Sequence, residues 1–193
     1  MDPIMSFFAG RATRHAGPYT VTRVTCHRGH EGEPCLQGWL CRDNKRIVEF
    51  GEDEHGGEMR LFWADRDQPR VEATGIDYLG EPLKYKCSPE EAALLAHCAS
   101  IPAVDSEHFA GKKEHVTIDL FISELASDER EYAALRRACN KKTCFRLKTD
   151  GCGLYRTVTG PMGEKAHAWL RQKYGDQLEV IFNEMLVQRA VAG

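Results

Sequence analysis

The sequence predicts a protein of mixed helices and strands, of the α/β (α+β) class, because two parts of the chain carry different patterns. Residues 5–110 hold short apolar runs separated by turns with glycine and aspartate, which is typical of strands joined in hairpins. Residues 111–193 alternate strand-like and helix-like runs in the order β-α-β-β-α-β. A chain of 193 residues, 42% hydrophobic, can bury a sizeable core. We expect both regions to pack as one compact unit, preceded by a leader at residues 1–4.

The N-terminal region is predicted to begin with four strands, in the runs PYTVTRVTC, LQGWLC, RIVEF and MRLFWAD. The segment VEATGIDYLGEPLKY predicts a further hairpin. A helix should then start at Ser88 as N-cap, with Pro89 in its first position and Glu91 three residues after the cap. We expect it to end before Pro102. Its apolar positions are Ala92, Leu94, Leu95 and Cys98.

The C-terminal region is predicted to open with a strand at HVTIDLFI, because its apolar residues alternate. These residues are Val116, Ile118, Leu120 and Ile122. A helix capped by Ser127 or Asp128 should follow over DEREYAALRRACN. Its apolar stripe consists of Tyr132, Leu135 and Cys139.

Two strands, Cys144–Lys148 and Leu154–Val158, should then pair across the glycine-rich turn DGCG. Gly160 leads into a helix that Pro161 is predicted to open and Gly175 to end. The chain should close with a strand at Leu178–Phe182 and a short helix at Met185–Val191. One face of the helix before Gly175 is predicted to hold Met162, Ala166, Trp169 and Leu170.

The passage from a strand through Gly160 to a helix predicts a phosphate-binding loop, because backbone N–H groups at a helix N-terminus suit anions. Gly160, Gly163 and Lys165 are the candidate nucleotide-binding residues, and Glu164 is the candidate catalytic residue that orients water or magnesium. The alternative is an ordinary connection between a strand and a helix, in which Glu164 only complements the helix dipole.

A run of basic residues next to this loop predicts a DNA-binding surface, because six positive charges lie between residues 136 and 148 without an acid. The candidates are Arg136, Arg137, Lys141, Lys142, Arg146 and Lys148, with Arg156 on the same surface. The alternative is a solvated helix end, since cations are favoured near a helix C-terminus.

The run from Asp128 to Phe182 resembles the core of the ParB/sulfiredoxin fold. HVTIDLFI is similar to the opening strand of that fold, and Tyr155-Arg156-Thr157-Val158-Thr159-Gly160 is similar to the strand that enters its phosphate loop. The match is one of pattern over about residues 114–183, and it implies a ParB/sulfiredoxin-like core with a strand-rich N-terminal extension.

The resemblance also implies a function. Proteins of this fold include plasmid-encoded fertility-inhibition factors, which block DNA transfer through a type IV secretion system and are associated with ATPase and metal-dependent DNase activity. The expected cofactors are ATP and Mg²⁺, and the expected partners are DNA and a secretion coupling protein or ATPase. A non-catalytic inhibitor that binds the coupling protein or the secretion ATPase is a second hypothesis.

The cysteines and acidic residues offer further sites. Eight cysteines without export features predict reduced thiols in the cytoplasm, and no apolar run is long enough to predict a membrane span. A zinc-stabilised adaptor is a third hypothesis, with structural thiols as its alternative; its ligands would come from Cys26, His27, His30, Cys35 and Cys41. An acidic loop around His55 is a candidate metal site or a solvated loop. Its acids are Glu49, Glu52, Asp53, Glu54 and Glu58.

Overall fold

A computed structural model describes residues 7, 9–52, 58–106, 108–151 and 153–186. The protein is of the α+β class, as predicted, and its chain divides into two compact units. One unit is Gly10–Ser127, and the other joins Met1–Ala9 to Asp128–Gly193. The sequence pattern instead changes at residues 110–113. The predicted leader at residues 1–4 lies outside the described residues.

The first unit begins with an antiparallel sheet of four strands in chain order. Its elements are α1 (Arg11–Arg14), β1 (Tyr19–Arg28), β2 (Pro34–Arg42), β3 (Lys45–Gly51) and β4 (Arg60–Trp63). The four predicted strands are therefore confirmed. Leu40, Val48 and Phe50 lie on one face of this sheet and are fully buried in the core.

The predicted hairpin and the predicted helix follow and are both confirmed. The elements are β5 (Val71–Ile76), β6 (Pro82–Cys87), α2 (Pro89–Ser100), β7 (Val104–Asp105) and β8 (Lys113–Glu114). Ser88 is the N-cap of α2, and its hydroxyl accepts a hydrogen bond from the backbone N–H of Glu91 at 3.3 Å. Leu94, Leu95 and Cys98 are buried, as the apolar spacing predicted.

The helix α3 (Ile118–Cys139) shows that the strand predicted at HVTIDLFI is wrong. The helix begins at Ile118, after Thr117, whose side-chain oxygen accepts the N–H of Leu120. Ser127 and Asp128 consequently lie inside the helix and do not cap it. The buried residues Ile118, Phe121, Ile122, Leu125 and Ala126 are spaced by three and four, which is the period of a helix face.

The second unit contains a three-stranded antiparallel sheet in the order β10-β9-β11. Its further elements are β9 (Lys142–Leu147), β10 (Arg156–Thr159), α4 (Glu164–Tyr174), a 3-10 turn (Gly175–Gln177) and β11 (Leu178–Ile181). The three predicted strands and the end of α4 at Gly175 are confirmed. Residues 182–186 are helical, and the rest of the closing helix predicted at Met185–Val191 lies outside the described residues.

Two apolar clusters hold the second unit together. Tyr132, Leu135 and Cys139, the predicted stripe of α3, pack with Cys144 and Phe182. The other cluster consists of Phe145, Leu147, Leu170 and Ile181. Because Cys144 and Phe145 are neighbours on β9 and belong to different clusters, β9 is buried on both faces.

Among the described residues, no helix is both long and apolar enough to cross a membrane.

Candidate nucleic-acid interface

The pairing of β9 with β10 places the glycine segment beside two of the predicted DNA-binding lysines. Thr159, the last residue of β10, pairs with Lys142, the first residue of β9. Gly160 continues this contact through an isolated bridge to Lys142. We call this end of the sheet the loop end and define it as Lys141, Lys142 and residues 160–165. It therefore combines the predicted phosphate loop with the basic turn that follows α3.

Gly160 has a backbone conformation that requires glycine. Its φ of +99° lies in a region that L side chains rarely adopt. Its carbonyl oxygen accepts a hydrogen bond at 3.2 Å from the hydroxyl of Thr143, a buried residue of β9. A Cβ added at Gly160 would meet no atom within 4 Å. The glycine therefore sets the direction in which the chain leaves β10, and the space in front of it is open.

The helix α4 begins three residues later than predicted. Gly163 is its N-cap, with an extended backbone and no side-chain cap, so Pro161 lies in the connecting segment and not in the first turn. The first N–H that reaches back to the Gly163 carbonyl is that of His167, at 2.9 Å. The N–H groups of residues 164–166 thus point out of the helix end without an intrahelical acceptor. Glu164 and Lys165 are both exposed beside them.

The buried side chain of Asn183 connects the strand that carries Lys142 to the end of α3. Its Oδ1 accepts the N–H of Cys144 at 2.7 Å. Its Nδ2 donates to the carbonyl oxygens of Cys139 and Lys142, both at 2.9 Å. One amide therefore satisfies a terminal carbonyl of α3 and two groups of β9, which holds the turn around Lys141 in place. Asn183 was not among the residues predicted from the sequence, since no local pattern marks it.

The opposite end of β9, which we call the turn end, carries the remaining basic residues of the sheet. It consists of Arg146, Lys148, Asp150 and Arg156. Asp150 accepts hydrogen bonds from Arg156 at 2.7–3.1 Å and from the N–H of Leu147 at 3.0 Å. The hydrogen bond from Arg156 is the largest cause that lowers the pKa of Asp150, and the bond from the Leu147 N–H is the next. The hydrogen bond to Asp150 in turn raises the pKa of Arg156. The guanidinium of Arg156 therefore binds the Asp150 carboxylate within the turn.

Arg146 is also occupied within the fold. Its side chain is 13% exposed, and its Nε lies 3.0 Å from a carboxylate oxygen of Glu179 on β11, an ion pair without hydrogen-bond geometry. Its Nη2 donates to the carbonyl of Asp150 at 3.1 Å, and its guanidinium lies over the ring of Phe7. Two of the predicted DNA-binding residues, Arg146 and Arg156, therefore already have intramolecular partners.

The residues of the basic run are distributed over both ends of β9 and the last turn of α3. The six residues of β9 separate its two ends by roughly 17 Å. Lys141 and Lys142 are exposed at the loop end, and Lys148 is exposed at the turn end. Arg136 and Arg137 are exposed in the last turn of α3, with Arg136 lying over the ring of Tyr132 at 5.7 Å. The free positive charge thus concentrates near the loop end.

The loop end offers phosphate ligands and one carboxylate. The N–H groups of residues 164–166 and the ammonium of Lys165 are groups of the kind that bind phosphate. Mg²⁺ bound with a nucleotide commonly uses one or two carboxylates plus phosphate oxygens, and here Glu164 would be that carboxylate. Within the described part of the chain, no group of three His, Cys, Asp or Glu side chains is placed to hold a metal.

The other candidate metal ligands have structural partners or lie far apart. Glu52 accepts the N–H of Leu36 at 2.7 Å and the hydroxyl of Ser123 at 2.9 Å, which makes it part of the fold. Residues 53–57 of the acidic loop, including His55, lie outside the described residues.

The predicted zinc ligands of the first unit are divided between the two ends of a strand. Cys35 pairs with His27 on β1, whereas Cys41 pairs with Thr20, six residues along β2 and roughly 20 Å away. Cys35 and Cys41 are buried. The seven cysteines that the structure describes form no disulfide with one another, and Cys152 lies outside the described residues. Burial raises the pKa of the Cys139 and Cys144 thiols, which favours structural roles for them.

Comparisons with known proteins found no match: no family model, no curated protein and no solved structure is significantly similar to this chain.

Proposed function

We propose that this protein binds DNA by the phosphate backbone, and that the loop end is the binding surface. The supporting observation is the contact between Gly160 and Lys142, which brings the free amides of α4 and the basic turn after α3 to one end of the sheet. Backbone N–H groups and lysine ammonium groups are common phosphate donors in DNA-binding proteins. They carry no sequence information, so we expect binding without sequence preference.

Local charge supports this proposal more than the overall charge does. The chain has a formal net charge of −3. The loop end nevertheless has three lysines, Lys141, Lys142 and Lys165, against one acid, Glu164. Arg136 and Arg137 add two charges one turn earlier in the chain. Such a local field attracts a polyanion even when the whole protein is acidic.

In the cell, this binding would serve to inhibit DNA transfer through a type IV secretion system, a role that the resemblance to ParB/sulfiredoxin proteins suggests. The opening strand of that fold corresponds here to the first turns of α3, so the resemblance now depends on β9, β10, α4 and β11. A protein that holds the transferred strand would keep it from the coupling protein or the secretion ATPase. Inhibition by a direct contact with either of those proteins would use the same basic surface.

DNA binding is tested by fluorescence anisotropy with the full chain and a labelled oligonucleotide at several salt concentrations. Lys141→Ala/Lys142→Ala should weaken binding on the order of tenfold and reduce the slope against log salt by about 1.4 for a single strand. The matched control is Lys84→Ala/Lys86→Ala, which removes two exposed charges from β6 in the first unit. Equal effects of the two double variants, or unchanged binding by the first, would contradict the proposal.

The resemblance also suggests ATPase and DNase activity, which are tested separately from DNA binding. Magnesium-dependent release of phosphate from ATP should fall in Lys165→Ala, because that ammonium is the cation next to the free amides of α4. Cleavage of single- and double-stranded DNA should fall in Glu164→Ala. If purified protein shows neither activity and still binds DNA, the function is inhibition by binding alone.

A further inference from the structure

The outward face of α4 carries an aromatic residue between two lysines. Lys165, Trp169 and Lys173 are spaced by four, so they follow one another along a helix over a rise of roughly 12 Å. All three are exposed, whereas Leu170 on the other face is fully buried. Lys165 belongs to the loop end, so this face continues the proposed binding surface along the helix. Trp169 was predicted on the apolar face, and this prediction is wrong.

Trp169 is held in place although 41% of it is exposed. Its ring meets that of Tyr174 edge-on, with 6.2 Å between the centroids. Tyr174 in turn lies against buried Phe145 of β9, with centroids 5.3 Å apart. The indole therefore contacts a ring that itself packs against the core of the second unit, which restricts its motion before a flat partner binds.

Lys173 lies on one face of the indole, with its ammonium 4.6 Å from the ring centroid. Because it forms a cation–π contact and no ion pair with the described residues, its charge is available to an anion. The acid of α4 is Glu164, at the far end of the helix from Lys173. A ring flanked by cations complements a ligand with flat bases and regularly spaced negative charges.

We infer that this face of α4 binds single-stranded nucleic acid, with a base stacked on the face of Trp169 that Lys173 does not cover and adjacent phosphates on Lys165 and Lys173. The inference rests on the proposed function and names its substrate class. Proteins that bind single strands without sequence preference combine a basic path with aromatic side chains on which bases stack. A duplex offers its phosphates to the lysines, but its bases remain stacked on one another and do not reach the indole.

The test compares three labelled ligands with the full-length protein: a dT oligonucleotide, a strand of the same length made of abasic units, and a duplex. Trp169→Ala should weaken dT binding on the order of tenfold, because it removes the ring on which the base stacks. Trp169→Phe should retain most of the affinity. Binding of the abasic strand and of the duplex should change by less than about twofold. Phe62→Ala, which removes an exposed ring of β4, is the control and should leave all three affinities unchanged.

The outcomes separate this inference from the proposed function. Equal losses on dT and on the abasic strand, or no loss on dT, would overturn stacking on Trp169. If Lys141→Ala/Lys142→Ala still weakens binding in that case, the loop end remains the DNA site. If Lys141→Ala/Lys142→Ala does not change binding while Trp169→Ala weakens only dT binding, the loop end is not the DNA site. The face of α4 then remains supported as the binding surface. Circular dichroism of each variant should match that of the unaltered chain.

Discussion

The loop end and the turn end of the β9 sheet both contain basic residues, but these residues have different partners at the two ends. Both carry several basic residues, and both lie next to a glycine-containing segment where the chain changes direction. At the turn end, Asp150 and Glu179 occupy Arg156 and Arg146. At the loop end, Lys141 and Lys142 are exposed, and Asn183 contacts only the backbone of that turn. Positive charge is therefore part of the fold at one end and available to a ligand at the other.

The largest expected effect concerns the buried amide that supports the loop end. Asn183→Ala removes three buried hydrogen bonds, among them the one to the N–H of Cys144, so the free energy of unfolding should fall by about 3 kcal/mol. Urea unfolding followed by circular dichroism measures it. Asn140→Ala, at an exposed position two residues before Lys142, is the control and should change stability by less than about 0.5 kcal/mol. Similar losses for both variants would contradict the role of Asn183.

A smaller effect is expected from the two glycines of the loop end, because only one has a positive φ. Gly160→Ala should lower the free energy of unfolding by about 1–2 kcal/mol, since alanine at a φ of +99° is strained. Gly163→Ala places alanine in extended backbone with open space and should cost less than about 0.5 kcal/mol. Thermal unfolding of the two variants side by side measures the difference. If Gly163→Ala were the more damaging change, the conformation of this segment would be wrong.

The smallest effect is expected at the turn end, where Asp150→Asn removes the charge that binds Arg156. The folded-state pKa of Asp150 is lowered, so its contribution to stability is present above the ordinary aspartate pKa of about 3.9 and is lost as the pH falls through the folded value. The variant should therefore be less stable at neutral pH, and the difference should disappear in acid. Unfolding at a series of pH values measures it, and a difference that persists below the folded pKa would contradict the ion pair.

The same variant also tests the contrast between the two ends. With Asp150 neutral, the guanidinium of Arg156 can contact a phosphate, so the slope of DNA affinity against log salt should increase by about 0.7 on a single strand. Lys148→Ala, which removes an exposed charge of the turn end that no described residue pairs, is the matched reference at the same end. If Lys148→Ala weakens binding as much as the loss of Lys142, the turn end binds DNA even in the unaltered protein.

The sequence predicted elements well where their signals were local. The cap at Ser88 with Pro89 specified α2, because a helix start is decided by a few adjacent residues. The pairing of β9 with β10 also followed from the glycine-rich turn between them. The prediction from the sequence was wrong at residues 115–122, because the spacing of Ile118 and Ile122 fits both a strand and a helix. Burial of Phe121 and Leu125 on the same side decided in favour of the helix.

The candidate site was predicted in its residue types and not in its arrangement. The sequence by itself determined that a glycine segment and a basic run lie near each other in the second half of the chain. Only the tertiary structure decided which cations remain available, because Glu179 and Asn183 reach β9 from more than 30 residues away in the chain. It also turned Trp169 outward, since α4 begins at Glu164 and presents Leu170 to the core. Composition determines how much charge a region has, whereas packing determines where that charge is free.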